Sequence, residues 1–154
     1  MSYILGFTGT RRGMTTQQKL VVIQVLNLRT PLRVHHGACE GADRDLWKLC
    51  RGHGLSTLAA PIPQTMWPSK QEQHDWAKSV QEEGDVVEDI REPLRRNGII
   101  AGRSDALLAI PKRDREELRS GTWMTIRFAR KALRPILIVW PDGRTSKENE
   151  RAER

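Results

Sequence analysis

Ser120, Gly121 and Thr122 open the stretch RSGTWMTIRFARK (119–131), where a small polar start gives way within one turn to an amphipathic helix pattern. Bare backbone N–H groups and two hydroxyls at the positive end of a helix suit a phosphate or a carboxylate. The same residues also suit an ordinary N-cap. Two more polar, glycine-bearing stretches come after apolar runs. TGTRRGMT (8–15) carries Gly9, Thr10, Arg11 and Arg12, and HGACEGADRD (36–45) carries Gly37, Gly41 and Asp43. Glycine allows tight backbone and arginine supplies charge, yet neither stretch matches G-x-G-x-x-G or G-x-x-x-x-G-K-[ST]. At one edge of one sheet, the three together point to a phosphate-bearing ligand.

Such an edge requires strands and helices in alternation. Short apolar runs at 3–8, 33–36, 56–60, 106–110 and 136–140, bounded by Gly, Pro or Asp, have strand length. Thr15 and Gln18 form a capping-box pattern that opens a helix through Leu28. Ala42, Leu46, Leu49 and Cys50 make one helical face, and Thr122, Ile126, Ala129 and Leu133 another. Further helices are expected within 69–83 and from Ile90 towards Arg103. The pattern predicts an α/β fold: a three-layer, Rossmann-like parallel sheet of about five strands with helices on both faces. Ligands of such sheets bind at the carboxyl ends of the strands.

Length and composition narrow the class. The 154 residues fit one domain, expected over 1–141, with a charged tail at 142–154 that has too few apolar residues to pack. No membrane-spanning run or leader pattern is visible, so a soluble, cytoplasmic protein is expected. Cys39 and Cys50 give no disulfide framework, and the four histidines show no ligand spacing with them, so neither a metal nor a cofactor is expected. The net charge is +7, and residues 91–134 hold twelve cationic against five anionic groups, which accounts for the whole excess. A positive field should centre there, either as a solvated face or as the docking side for an anionic partner.

GFTGTRRGMT, HHGACEGADRDLW, RRNGIIAGRSDALLAIP and RSGTWMTIRFARK occur in the same order, and in similar form, in the SLOG superfamily of Rossmann-like nucleotide-ligand domains. That superfamily includes the DprA (Smf) DNA-processing proteins, the "Lonely guy" phosphoribohydrolases and small stand-alone YspA-like proteins. The resemblance spans residues 4–141 and is nearest to the stand-alone form. It implies that Gly37, Gly41 and Asp43, then Arg96, Asn97 and Ser104, then Ser120, Gly121 and Thr125 hold family positions. Arg96 matches an arginine that the phosphoribohydrolases use in their active site, and it is the catalytic candidate if the chain is an enzyme. Asn97 could contact ligand or cap a turn at Gly98. Trp123, and Trp67 in PIPQTMWP, could stack on a base or fill core.

The resemblance implies binding or sensing of a small nucleotide-derived ligand through phosphate-cradling loops. Two alternatives stand beside it: N-glycosidic hydrolysis of nucleoside monophosphates, and DprA-like binding of single-stranded DNA. The phosphoribohydrolases carry a glutamate where this chain has Thr125, which argues against turnover, although Glu116 or Glu117 could substitute from the preceding loop. A single-strand track would want more aromatics than five Trp, two Phe and one Tyr. A homo-oligomer is a further expected partner state, and no membrane partner is expected.

Overall fold

In the computed structural model, residues 3–29, 31, 33–37, 41–53, 56–59, 86–87 and 93–150 are described. Among them, β1 (Ile4–Gly9), β2 (Arg33–His36), β3 (Ser56–Ala59), β4 (Val86–Val87), β5 (Ala106–Ile110), β6 (Ile136–Val139) and β7 (Thr145–Glu148) form one sheet. Its order is β4-β3-β2-β1-β5-β6-β7, parallel throughout except for the antiparallel β6–β7 pair. Helices α1 (Thr16–Arg29), α2 (Ala42–Gly52), α3 (Pro93–Arg103) and α4 (Gly121–Lys131) complete the described elements. The helix expected within 69–83, and Trp67, lie outside the described residues.

The handedness of parallel crossovers sorts the helices. The chain steps one way from β1 to β2 to β3 and the opposite way from β5 to β6, and right-handed connections then put the intervening helices on opposite faces. Side-chain alternation in β5 supplies both cores. Leu108 and Ile110 join Phe7, Val22, Leu26, Leu46 and Cys50 beneath α1 and α2, whereas Leu107 and Ala109 join Ile100, Trp123, Ile126 and Ala129 beneath α3 and α4. Cys50 is buried core. Leu133 departs from its expected place: α4 ends at Lys131, and Leu133 sits beyond it with φ 56° and 67% exposure.

The tail also departs from expectation. Segment-average composition predicts fraying from residue 142, but Pro141-Asp142-Gly143 makes a turn, with Gly143 at φ 90° and its N–H donated to the Trp140 carbonyl at 2.8 Å. Thr145–Glu148 then pairs with β6 as an edge strand. An edge strand satisfies its backbone through the ladder and needs little apolar burial. Trp140 Nε1 donates to Ser146 Oγ at 2.8 Å, and Arg130 donates twice to Glu148, at 2.6 and 2.9 Å. Residues 151–154 lie outside the described part.

Thr15 and Gln18 make the reciprocal capping box: Thr15 N–H donates to Gln18 Oε1 at 2.9 Å, and Gln18 N–H to Thr15 Oγ1 at 3.1 Å. The Gln18 amide is also buried and donates to the carbonyls of Pro111 and Val139, at 3.1 and 3.0 Å, so it joins α1 to the carboxyl ends of β5 and β6. Leucine at this position keeps the bulk and leaves those carbonyls and the Thr15 N–H without the amide. At roughly 1–3 kcal/mol for each unsatisfied buried group, Gln18→Leu is expected to cost about 3 kcal/mol and lower the melting temperature by about 6–12 °C. A thermal melt within about 2 °C of the parent chain would show the bridge to be dispensable.

Candidate functional site

The order of strands reverses between β1 and β5, and the loops after β1, β2 and β5 meet above that point. They enclose a cleft of about 400 Å³, a size that suits a small-molecule site. Its rigid side is built around Thr10. The Thr10 N–H donates to the Ile110 carbonyl at 2.9 Å, while its own carbonyl accepts from Gly13 at 3.2 Å and Ala42 at 2.9 Å. Its hydroxyl oxygen accepts the Arg12 N–H at 3.2 Å, and Asp45 on α2 accepts the Met14 N–H at 2.9 Å. The first loop is thereby fixed to β5 on one side and to α2 on the other.

Two glycines allow that approach. A Cβ on Gly9 would lie 2.5 Å from the Ala42 Cβ, and one on Gly41 would lie 2.3 Å from the Arg11 carbonyl oxygen. Gly41 also holds φ at 82°, a backbone conformation that glycine adopts without strain. Gly41 does not line the cleft; its place is in the joint between the two loops.

On the opposite side stands the N-terminus of α4. Ser120 is its N-cap: the hydroxyl accepts the Trp123 N–H at 3.3 Å, and the Ser120 carbonyl accepts the Met124 N–H at 2.9 Å. The N–H groups of Gly121 and Thr122 are then the ones that helix geometry leaves without an intrahelical acceptor. Among the described residues, nothing beyond its own helix and chain neighbours lies within 4 Å of a Cβ built on Gly121. The N-cap and anion-site readings of this segment are compatible, because capping by Ser120 engages Trp123 and leaves the two residues before it.

Of the sequence candidates, Gly9, Thr10, Arg11, Arg12, Gly37 and Asp43 line the cleft from the β1 and β2 loops. Asn97, Ser120, Gly121 and Thr122 line it from α3 and α4. Asp43 and Asn97 are 4% and 3% exposed. Asn97 lies inside α3, so it caps no turn at Gly98; a Cβ on Gly98 would meet the Phe128 ring at 3.9 Å. Arg96 is on α3, with its side chain outside the described part.

Trp123 and Thr125 turn away from the cleft. Trp123 is 2% exposed, with its ring 5.8 Å from that of Trp140 and the Arg130 guanidinium 5.6 Å from its centroid, so it is core and no platform for a base. Thr125 is fully buried and donates its hydroxyl to the Gly121 carbonyl at 3.0 Å, one turn back along its own helix. The first helical turn carries Gly121 and Thr122 to the cleft, while Trp123 and Thr125 pack inward.

Sequence reasoning missed Phe7, Thr8, Ile100, Lys112 and Arg119 as lining residues, and offered Glu117 only as a stand-in for the absent glutamate. The last three belong to the 111–119 loop, whose charge density suggests a flexible, solvated segment. The loop is held in place instead. Arg127 donates to the carbonyls of Glu117 and Leu118, at 2.6 and 3.3 Å, and to the Glu116 carboxylate at 3.2 Å. Arg130 bridges Glu116 at 2.9 Å and Glu148 at 2.6 Å. Hydrogen bonding from Arg130 holds the Glu116 carboxyl below the ordinary glutamate range, and hydrogen bonding to Glu148 pushes the Arg130 pKa up. Glu116 is therefore engaged in a structural pair, while Glu117 is the loop carboxylate that lines the cleft. Arg11, Arg12, Lys112 and Arg119 against Asp43 and Glu117 leave the lining net positive. Asp105, by contrast, accepts the Ile4 N–H at 2.8 Å and orders the start of β1.

No cluster suited to a metal ion and no helix long and apolar enough to cross a membrane occurs among the described residues. No protein-family model matches the chain, and no curated protein matches it significantly. Solved structures do. The DNA processing protein A (DprA) of Streptococcus pneumoniae superposes with a TM-score of 0.66 at 19% identity, over 89% of this chain and 50% of that one. The protein TM1055 superposes with a TM-score of 0.58 at 12% identity, over 88% of this chain and 72% of that one. The chain thus spans about half the length of the DprA structure. On these likenesses, the chain shares the Rossmann-like α/β fold of those two structures, with a mostly parallel sheet.

Proposed function

We propose that the chain binds a small nucleotide-derived ligand, with the phosphate at the N-terminus of α4 and the remainder in the cleft beside Thr10. The observation that carries this reading is the convergence of an open helix N-terminus with Lys112 and Arg119 at a topological switch point. An anion there meets backbone N–H groups, the helix dipole and two side-chain cations together. Gly121→Asp adds a carboxylate into open space, so the fold should persist while the anion is repelled. Nucleotide at about one hundred times Kd should stabilise the parent chain by about 2.7 kcal/mol, raising its melting temperature by about 5–11 °C, and should do nothing for Gly121→Asp. Nucleotide-induced stabilisation retained in the variant would remove the phosphate from this helix.

A second reading, binding of a nucleic-acid strand, draws on the likeness to a DNA-processing protein and on the exposed Arg113 and Arg115 beside the cleft. Salt separates the two. A strand that displaces many counterions should lose affinity by orders of magnitude between about 50 and 200 mM salt, whereas a mononucleotide should lose far less. We expect fluorescence titration to detect the mononucleotide at both salts. Tight oligonucleotide binding with no mononucleotide binding would reverse the preference.

The hydrolase reading is weaker, since the buried Thr125 hydroxyl is committed to the Gly121 carbonyl and cannot stabilise a developing ribosyl cation as a carboxylate does. Of the two carboxylates in the described lining, Asp43 and Glu117, the one on the loop before α4 is the candidate for such chemistry. Chromatography of AMP incubated for hours with micromolar protein should show no robust release of base. Turnover abolished by Arg96→Ala or Glu117→Gln would establish an enzyme instead.

A further inference from the structure

The two sides of the cleft ask for different chemistry. At α4 the N–H groups of Gly121 and Thr122, with Lys112 and Arg119, attract an anion. Asp43, in the first turn of α2 and only 4% exposed, lines the same cleft with a carboxylate. A phosphate at Asp43 would be repelled, and little water remains there to screen it. A cationic ligand group is disfavoured in turn by Arg11 and Arg12 on the adjoining loop. What remains is a neutral group rich in hydrogen-bond donors.

The neighbours of Asp43 narrow that group. Thr8, Thr10 and Asn97 line the cleft as nine-tenths buried polar side chains. Hydroxyls and an amide both donate and accept, as sugar hydroxyls do. A base would want an aromatic face, but Trp123 belongs to the core and Phe7, the aromatic residue in the described lining, is fully buried. A carboxylate has about four acceptor positions, so a contact that Asp43 already makes within the protein leaves room for two hydroxyls. Hydroxyl donors to a carboxylate make short, charge-assisted bonds.

Resting on the nucleotide reading above, we propose that Asp43 is a specificity-determining residue that accepts the vicinal hydroxyls of a ribose, so that the cleft selects ribonucleotides over 2′-deoxyribonucleotides. Loss of the 2′-hydroxyl leaves a buried carboxylate short of a donor, which corresponds to about a tenfold to hundredfold loss of affinity. The ligand is thereby oriented: the sugar lies against α2 and the phosphate against α4, with the base directed out of the polar floor.

Calorimetric titration of the full chain with ribose 5-phosphate, 2-deoxyribose 5-phosphate, AMP, dAMP and inorganic phosphate tests this. Each ribo ligand should bind about tenfold or more tightly than its deoxy partner. In Asp43→Asn, with folding checked by thermal melt, that ratio should fall towards one while inorganic phosphate binds no more weakly. Equal affinities within each pair in the parent chain would overturn the proposal and leave the nucleotide reading standing; that comparison needs no variant to fold. An undiminished ratio in Asp43→Asn would likewise overturn the role of Asp43. Failure of every ligand, inorganic phosphate included, would overturn the nucleotide reading and this proposal together.

Discussion

The Thr10 peptide is the joint on which the cleft depends. One short segment binds β5 through its N–H and α2 and its own loop through its carbonyl. Helix α2 can come this close because Gly9 and Gly41 have no Cβ to obstruct it. Without that joint, the β1 and β2 loops would be two exposed turns on separate elements. With it, buried hydroxyls and a buried carboxylate stand at fixed positions opposite α4. The arrangement illustrates why open α/β sheets place ligands where strand order reverses: adjacent loops diverge there and leave a gap that helix N-termini face.

Among the described cations of the 91–134 span, two kinds of work are seen. Arg127 and Arg130 are turned to structure, since they hold Glu116, Glu148 and the backbone of loop 111–119. Their guanidinium forks match carboxylates and carbonyls at several points, which a point charge on lysine could not do. Lys112 and Arg119, on the loop thus fixed, contribute to the cleft. The loop that brings Lys112 and Arg119 to the cleft is thus held by Arg127 and Arg130. Individual pairs at half-exposed positions add little stability, but a network with several backbone anchors restricts geometry.

The carboxyl-terminal hairpin shows how a polar segment finds a place in a sheet. It lacks the apolar residues to pack, yet an edge strand requires only a ladder partner, a turn and a few side-chain anchors. Glu148 supplies one anchor, so the same residue that secures β7 also braces Arg130 against the cleft loop. The edge of the sheet is thereby connected to the cleft loop through the Arg130 guanidinium.

Local pattern was enough to determine the alternating α/β plan, the five main strands and the capping box at Thr15 and Gln18, because periodicity, glycine punctuation and capping are properties of adjacent residues. Most of the loop residues that line the cleft were also legible, since a loop after a parallel strand must emerge at the ligand edge. Only the tertiary structure decided which face each helical residue presents: it buried Trp123 and Thr125, left Gly121 open and separated Glu116 from Glu117. The sequence carried the Pro141-Asp142-Gly143 turn signal, but no local rule says that β6 has a vacant edge to receive Thr145–Glu148. Nor could a one-dimensional reading see that the Gln18 amide reaches two strand ends more than ninety residues away. Those facts depend on elements distant in the chain meeting at specific distances, and only packing sets such distances.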